Sequence, residues 1–195
     1  MADAAKIERL QQALAAYAAG ETEPLFDTQA ERAQAKVRKR ALRLLDQRAR
    51  SKYELQQRLL ALEFDAQVVA DVIADLERVG LIDDVTFATE WVRQRSQRRG
   101  KSRMALNLEL KEKGISGDLR AAALEQITGT DERALAQRFA AKKARGIKFA
   151  PRGRAEYDRH LRRILGVLAR RGFPQGVSMQ VAREALDQRI EELAD

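Results

Sequence analysis

The sequence predicts an all-α fold, a tandem array of three three-helix modules preceded by an N-terminal helical extension. Three observations carry that expectation. Alanine, leucine, arginine, glutamate and glutamine dominate the 195 residues, with 5% aromatics and three prolines, a composition of strong helix formers. Apolar residues recur at three- and four-residue spacing between capping and breaking residues. One arrangement of apolar positions occurs three times at helical register, the sequence mark of stacked helical modules.

The first predicted element is an amphipathic helix at Asp3–Ala19, with Ile7, Leu10, Leu14 and Tyr17 on one stripe. Gly20-Glu21-Thr22-Glu23-Pro24 breaks it. A second helix is predicted from Thr28 to Arg48. Its second half carries Val37, Leu42, Leu44 and Leu45, while Gln29–Lys36 is nearly all alanine and charge and reads as a solvated extension or arm. Ser51-Lys52-Tyr53-Glu54 is a capping box, in which the serine accepts a backbone N–H and the glutamate reaches back. Leu55, Leu59 and Leu62 follow, Phe64 ends the element, and Asp65 can cap the next. Val68, Val69, Val72, Ile73, Leu76 and Val79 then form a stripe that Gly80 stops in a left-handed conformation.

The design recurs. Leu55, Leu59, Phe64, Val68 and Ile73 are matched by Leu106, Leu110, Ile115, Leu119 and Leu124 at an offset of 51, with Ser102 in the place of Ser51. A further offset of 58 leads to Ile164, Leu168, Phe173, Val177 and Ala182. The modules are expected at 36–82, 83–128 and 129–195, behind an extension at 1–35, each opening with its own first helix (Lys36–Arg48, Val85–Gln97, Asp131–Lys143). The longest connection, Gly146–Gly153, is the expected hinge or contact loop.

Composition bounds the function. At 34% charged residues the chain is too polar for a membrane protein, and no apolar run approaches the roughly 20 residues of a bilayer span. Asp3 and Glu8 argue against a signal peptide. The absence of cysteine removes disulfides and thiolate metal sites and fits a reducing cytoplasm. Net charge is +8; residues 1–36 hold four basic and six acidic residues, net −2, which leaves +10 for the remainder. A localised basic excess suits a polyanion or an acidic protein surface, or else a solvated arginine-rich helical protein.

Catalytic constellations are lacking. His160 is the sole histidine and reads as a solvated or packing residue. Asp83-Asp84 is the sole adjacent carboxylate pair, and Asp84 is expected to cap the helix that opens at Val85. Arg99-Gly100-Lys101-Ser102 imitates the end of a phosphate-binding loop, but Arg95 stands where that loop needs glycine and a helix precedes it instead of a strand. No catalytic residue, cofactor or metal site is expected. The basic clusters remain. Arg93, Arg95, Arg98, Arg99, Lys101 and Arg103 fall within eleven residues, and Lys142, Lys143, Arg145, Lys148, Arg152 and Arg154 surround the long loop. Arg159, Arg162, Arg163, Arg170 and Arg171 form a third. Helix-end cations gain typically under about 1 kcal/mol from the macrodipole, which accounts for one or two per end, not six. Trp91, beside Phe87 and Val92, reads as core.

Between Ala41 and Ile127 an ordered set of motifs resembles the RecX regulatory proteins of bacteria. The set comprises Ala41-Leu42-Arg43-Leu44-Leu45, Arg48-Ala49-Arg50-Ser51 with Glu54-Leu55, Leu81-Ile82-Asp83-Asp84, Phe87-Ala88, Trp91-Val92-Arg93-Gln94-Arg95 and Lys113-Gly114-Ile115. It covers about half of the chain; the third module is similar only in outline, and residues 1–35 show no match. The resemblance implies an elongated, curved array that binds RecA and the RecA–single-stranded DNA filament in its helical groove. It also implies inhibition of strand exchange and ATP hydrolysis, limited filament growth, and no catalytic residues of its own. DNA phosphates are a further expected contact, a membrane is not, and a monomer is expected. Two other readings remain, a stand-alone basic DNA-binding protein and a helical scaffold for an acidic protein.

Overall fold

A computed structural model describes residues 28–194 together with Ile7, Glu8, Gln11, Gln12, Leu14–Ala16 and Ala19. The expected helix at Asp3–Ala19 and the break at Gly20–Pro24 lie largely outside the described residues. Among the described residues the later elements are all helices: α1 (Thr28–Gln47), α2 (Lys52–Leu60), α3 (Ala66–Arg78), α4 (Asp84–Arg99), α5 (Arg103–Glu112), α6 (Gly117–Leu124), α7 (Gly129–Ala144), α8 (Arg154–Ala169) and α9 (Gln175–Glu192).

Helix starts follow the short polar side chains. The Asp65 carboxylate accepts from the N–H groups of Gln67 and Val68 at 2.9 and 3.0 Å, the Ser102 hydroxyl from Ala105, and the Ser116 hydroxyl from Leu119. Thr128 and Asp131 form a complete capping box at α7. The structure corrects the expected cap of α4. Asp83 performs it, accepting from Val85 N–H and Thr86 N–H at 2.9 and 3.2 Å, and its carboxyl is held below the ordinary carboxylate range first of all by the Thr86 hydroxyl. Asp84 accepts instead from Lys52 N–H at 2.8 Å, at the start of α2. Burial there pushes its carboxyl up.

The chain divides into two compact units, Met1–Arg48 with Gln56–Asp75, and Ala49–Leu55 with Leu76–Asp195. In the first, Val37, Ala41, Leu44, Leu59, Val69, Val72 and Ile73 are buried, and Arg38 of α1 pairs with Asp75 of α3. As the alanine-and-charge composition suggested, Gln29–Lys36 is exposed except for half-buried Ala33. The second unit has two cores. One joins Phe87, Ala88 and Val92 of α4, Leu106 and Leu110 of α5 and Ala123 and Leu124 of α6, closed by Ile115 and Ile127. The other joins the alanine face of α7 (Ala136, Ala140, Ala144) to Leu161, Ile164 and Leu168 of α8 and Val181, Ala182 and Leu186 of α9. Alanines on α7 let its neighbours approach closely, which is why a helix with so few large residues still has a buried face.

The three copies bury their stripes alike. Positions one, two and five are buried in each (Leu55, Leu59, Ile73; Leu106, Leu110, Leu124; Ile164, Leu168, Ala182), and position four is half-buried in each (Val68, Leu119, Val177). The serines recur in role as well. Ser51 accepts from Glu54 N–H at 3.1 Å and donates to the Lys113 carbonyl at 2.6 Å. Ser102 accepts from Ala105 N–H at 3.1 Å and donates to the Gly172 carbonyl at 2.5 Å. Each serine thus caps its own helix and ties it to a turn of the next copy. Those turns are left-handed at Gly114 and Gly172, and a side chain at either would overlap Tyr53 or Ala105, so glycine is required for close approach as much as for φ. In the first copy the matching left-handed residue is Glu63 (φ 61). In the third copy the serine position is His160.

Candidate functional site

The first basic cluster surrounds the C-terminal half of α4, which ends in a left-handed Gly100 whose N–H closes the helix on Arg95 and Ser96 carbonyls. Half of its cations are already engaged within the molecule. Arg93 forks onto Glu90 through Nε and Nη2 at 3.0 and 2.6 Å, which raises the guanidinium and lowers the carboxyl from their ordinary values. Arg95 lies 3.6 Å over the Trp91 ring and 3.2 Å from Glu109, and Lys101 reaches the same carboxylate at 3.3 Å. The indole Nε1–H donates to Glu109 at 3.0 Å. Lys113 lies 5.1 Å from the centroid of the Trp91 ring and pairs with Glu54. Trp91 is therefore half-buried, tilted against Phe87 at a centroid distance of 5.4 Å and attended by cations. Its expected place in the core holds in part: it packs against the cluster that contains Phe87 and Val92 but stays half-buried. Arg98, Arg99 and Arg103 are exposed, with no side-chain partner among the described residues.

The second cluster spans the end of α7, the loop and the start of α8. Lys142, Lys143, Arg145, Lys148 and Arg152 are exposed, and none has an ion pair among the described residues. Arg154 pairs with Asp158 at 3.3 Å; the Arg152 backbone N–H donates to Glu156 at 2.9 Å, which lowers that carboxyl. Only part of the expected hinge is anchored. Ile147 is buried and its carbonyl accepts from Arg189 Nε at 3.1 Å, whereas Phe149 is 82% exposed. A small cleft of about 70 Å³ opens between the end of α7 and α8, lined by Lys143, Gly146, Ile147, His160, Arg163 and Ile164. His160, half-buried, is thus set among cations.

The third set divides. Arg162, Arg163 and Arg170 are exposed, Arg159 sits 3.7 Å from Glu156, and Arg171 stacks 4.0 Å from the Phe139 centroid while donating to the Val167 carbonyl. No group of three or more histidine, aspartate or glutamate residues could hold a metal ion among the described residues. No helix among them is long and apolar enough to cross a membrane.

Residues 38–76 match the family model for the first three-helix domain of RecX, and 83–124 that for its second. The regulatory protein RecX of Corynebacterium efficiens is 55% identical over 194 residues, spanning 97% of this chain and 92% of that one. That of Streptomyces coelicolor is 36% identical over 151 residues, with 77% and 78% covered. The crystal structure of RecX from Lactobacillus salivarius shares the fold at a TM-score of 0.68 and 23% identity, covering 81% of this chain and 99% of that one.

Proposed function

Because the chain belongs to the RecX family of regulatory proteins, we propose that it is a non-catalytic cytoplasmic regulator that binds RecA–single-stranded DNA filaments and lowers RecA strand exchange, ATP hydrolysis and coprotease activity. The single observation that carries this reading is the likeness to a regulatory protein RecX across 97% of the chain. Three modules in series, divided near residues 82 and 128, suit a partner that is itself a repeating polymer, since each offers a small contact and their sum is selective. Exposed cations without side-chain partners among the described residues (Arg98, Arg99, Arg103, Lys142, Lys148) supply steering toward DNA phosphates and acidic RecA surfaces.

Inhibition requires more than attachment. The protein must bind the inhibited filament state more tightly than the active one, because equal affinity for both shifts nothing. The test compares its affinity for RecA filaments on single-stranded DNA with that for bare DNA and for free RecA, alongside RecA ATPase. A marked preference for the filament, with ATPase falling over the same concentrations, is expected. Equal affinity for filament and bare DNA with unaltered ATPase overturns the reading.

A further inference from the structure

Two features around the α7–α8 loop remain unexplained by packing. Phe149 is 82% exposed, the most exposed large hydrophobic among the described residues, and it sits between Lys148 and Arg152 on a loop whose Ile147 is firmly buried. An aromatic ring held out in water beside an anchored residue gains nothing from the fold. Close by in the chain, Lys143 from α7 and His160 and Arg163 from α8 line one small cleft.

The repeat sharpens the meaning of that cleft. In the first two copies the position of His160 is a buried serine whose hydroxyl donates to a backbone carbonyl of the following copy. In the third copy the neutral hydroxyl is replaced by imidazole, with Arg162 and Arg163 where the earlier copies have Tyr53-Glu54 and Met104-Ala105. A position that donates to oxygen in the earlier copies keeps a donor, and two guanidinium groups follow it closely in the chain.

The nearby electrostatics permit an anion. At the end of α7 the Ala141 carbonyl accepts from Arg145 N–H, Lys143 from Gly146 N–H and Ala144 from Ile147 N–H, while the Ile147 carbonyl accepts from Arg189. Glu156, one turn before His160, is engaged by Arg152 N–H and Arg159. The macrodipole accounts for Lys142 and Lys143 in part, but not for cations contributed from the middle of α8.

We propose that the third module carries a binding site for single-stranded nucleic acid, in which Phe149 stacks on an unpaired base and the Lys143–His160–Arg163 cleft takes a backbone phosphate. Stacking on an exposed ring beside a cationic track is how single strands are held without sequence preference. An acidic protein would use the cations and leave the ring idle, and a duplex has no free base face to offer it. The site stands independently of RecA, so its failure and that of the filament reading are separable.

The test is fluorescence anisotropy of the full chain with a labelled mixed-sequence single strand and with the corresponding duplex, over a range of salt, with no RecA present. F149A is expected to weaken single-strand binding about tenfold, within the range of one base–aromatic stack, leaving the salt slope and duplex binding unchanged, and F149W to restore it. K143A/R163A is expected to flatten the single-strand salt slope by about 0.7 for each backbone phosphate that these two cations neutralise. K111A, at an exposed cation of α5 that belongs to none of the basic clusters, serves as the control and is expected to change single-strand affinity less than about threefold. Circular dichroism melting establishes that every variant is folded. The proposal is overturned if F149A binds like wild type, if it weakens single strand and duplex equally, or if polyglutamate displaces the single strand as well as an unlabelled oligonucleotide does.

Discussion

Two stretches of this protein carry six cations each, 93–103 and 142–154, and their surroundings differ. In the first, Arg93, Arg95 and Lys101 are matched by carboxylates of the same molecule. Arg95 and Lys101 converge on Glu109, whose side chain is only 19% exposed and which also takes the Trp91 indole N–H. In the second, among the described residues, only Arg154 has such a match, on Asp158. Equal density of positive charge along a sequence therefore means structural cement for half of the first stretch and, among the described residues, uncommitted attraction for nearly all of the second. What separates them is the acid that folding brings across: Glu109 arrives from α5, eighteen residues beyond Trp91, and nothing comparable reaches the end of α7 among the described residues.

The largest expected effect breaks the structural half of this contrast. Glu109→Ala leaves Arg95, Lys101 and the Trp91 N–H facing one another, half-buried, without their shared acceptor. A loss of about 1–3 kcal/mol in unfolding free energy is expected, read by urea denaturation with an unchanged m-value, because unsatisfied groups keep their desolvation cost. An unchanged midpoint would reduce the assembly at Trp91 to a surface ornament. The opposite half is tested by replacing Lys142, Lys143 and Lys148 together by alanine. Stability is expected to hold within about 0.5 kcal/mol, since exposed residues without partners contribute little. The concentration that half-inhibits RecA ATPase should rise about tenfold, equivalent to about 1.4 kcal/mol of binding. Lost stability with intact inhibition would invert the assignment of the two regions.

The repeat, the helix order and the stripes were legible because burial writes itself into spacing. Leu106 and Leu110 must face one core, so they must lie four apart, and the same holds for Ile164 and Leu168. Asp65 and Gly80 were legible because capping is local. The cap of α4 was misplaced by one residue, since Asp83 and Asp84 are chemically alike and only the approach of Lys52 N–H distinguishes them. Which cations are free was not legible at all. Arg95 and Arg98 look equivalent in the sequence, one turn apart, and differ only in that one overlies Trp91 and meets Glu109. Phe149 offered a signal, an aromatic between two glycines among bases, that periodicity could not interpret because no stripe includes it.

The smallest expected effect sharpens the contrast at a single guanidinium. Arg95→Lys keeps the charge near Glu109 and removes the flat group lying 3.6 Å over the Trp91 ring. A planar guanidinium stacks and bonds the carboxylate at once, whereas an ammonium must choose, and the stacking contribution for a half-exposed pair is about 0.5–1 kcal/mol. The variant should therefore lose roughly that much stability, about 1–4 °C in melting temperature for a chain of this size. Arg98→Lys, with no ring beneath it and no carboxylate beside it among the described residues, should melt as the parent does. If both substitutions melt alike, Trp91 confers no preference for arginine, and the distinction between the two ends of α4 rests on Glu109 alone.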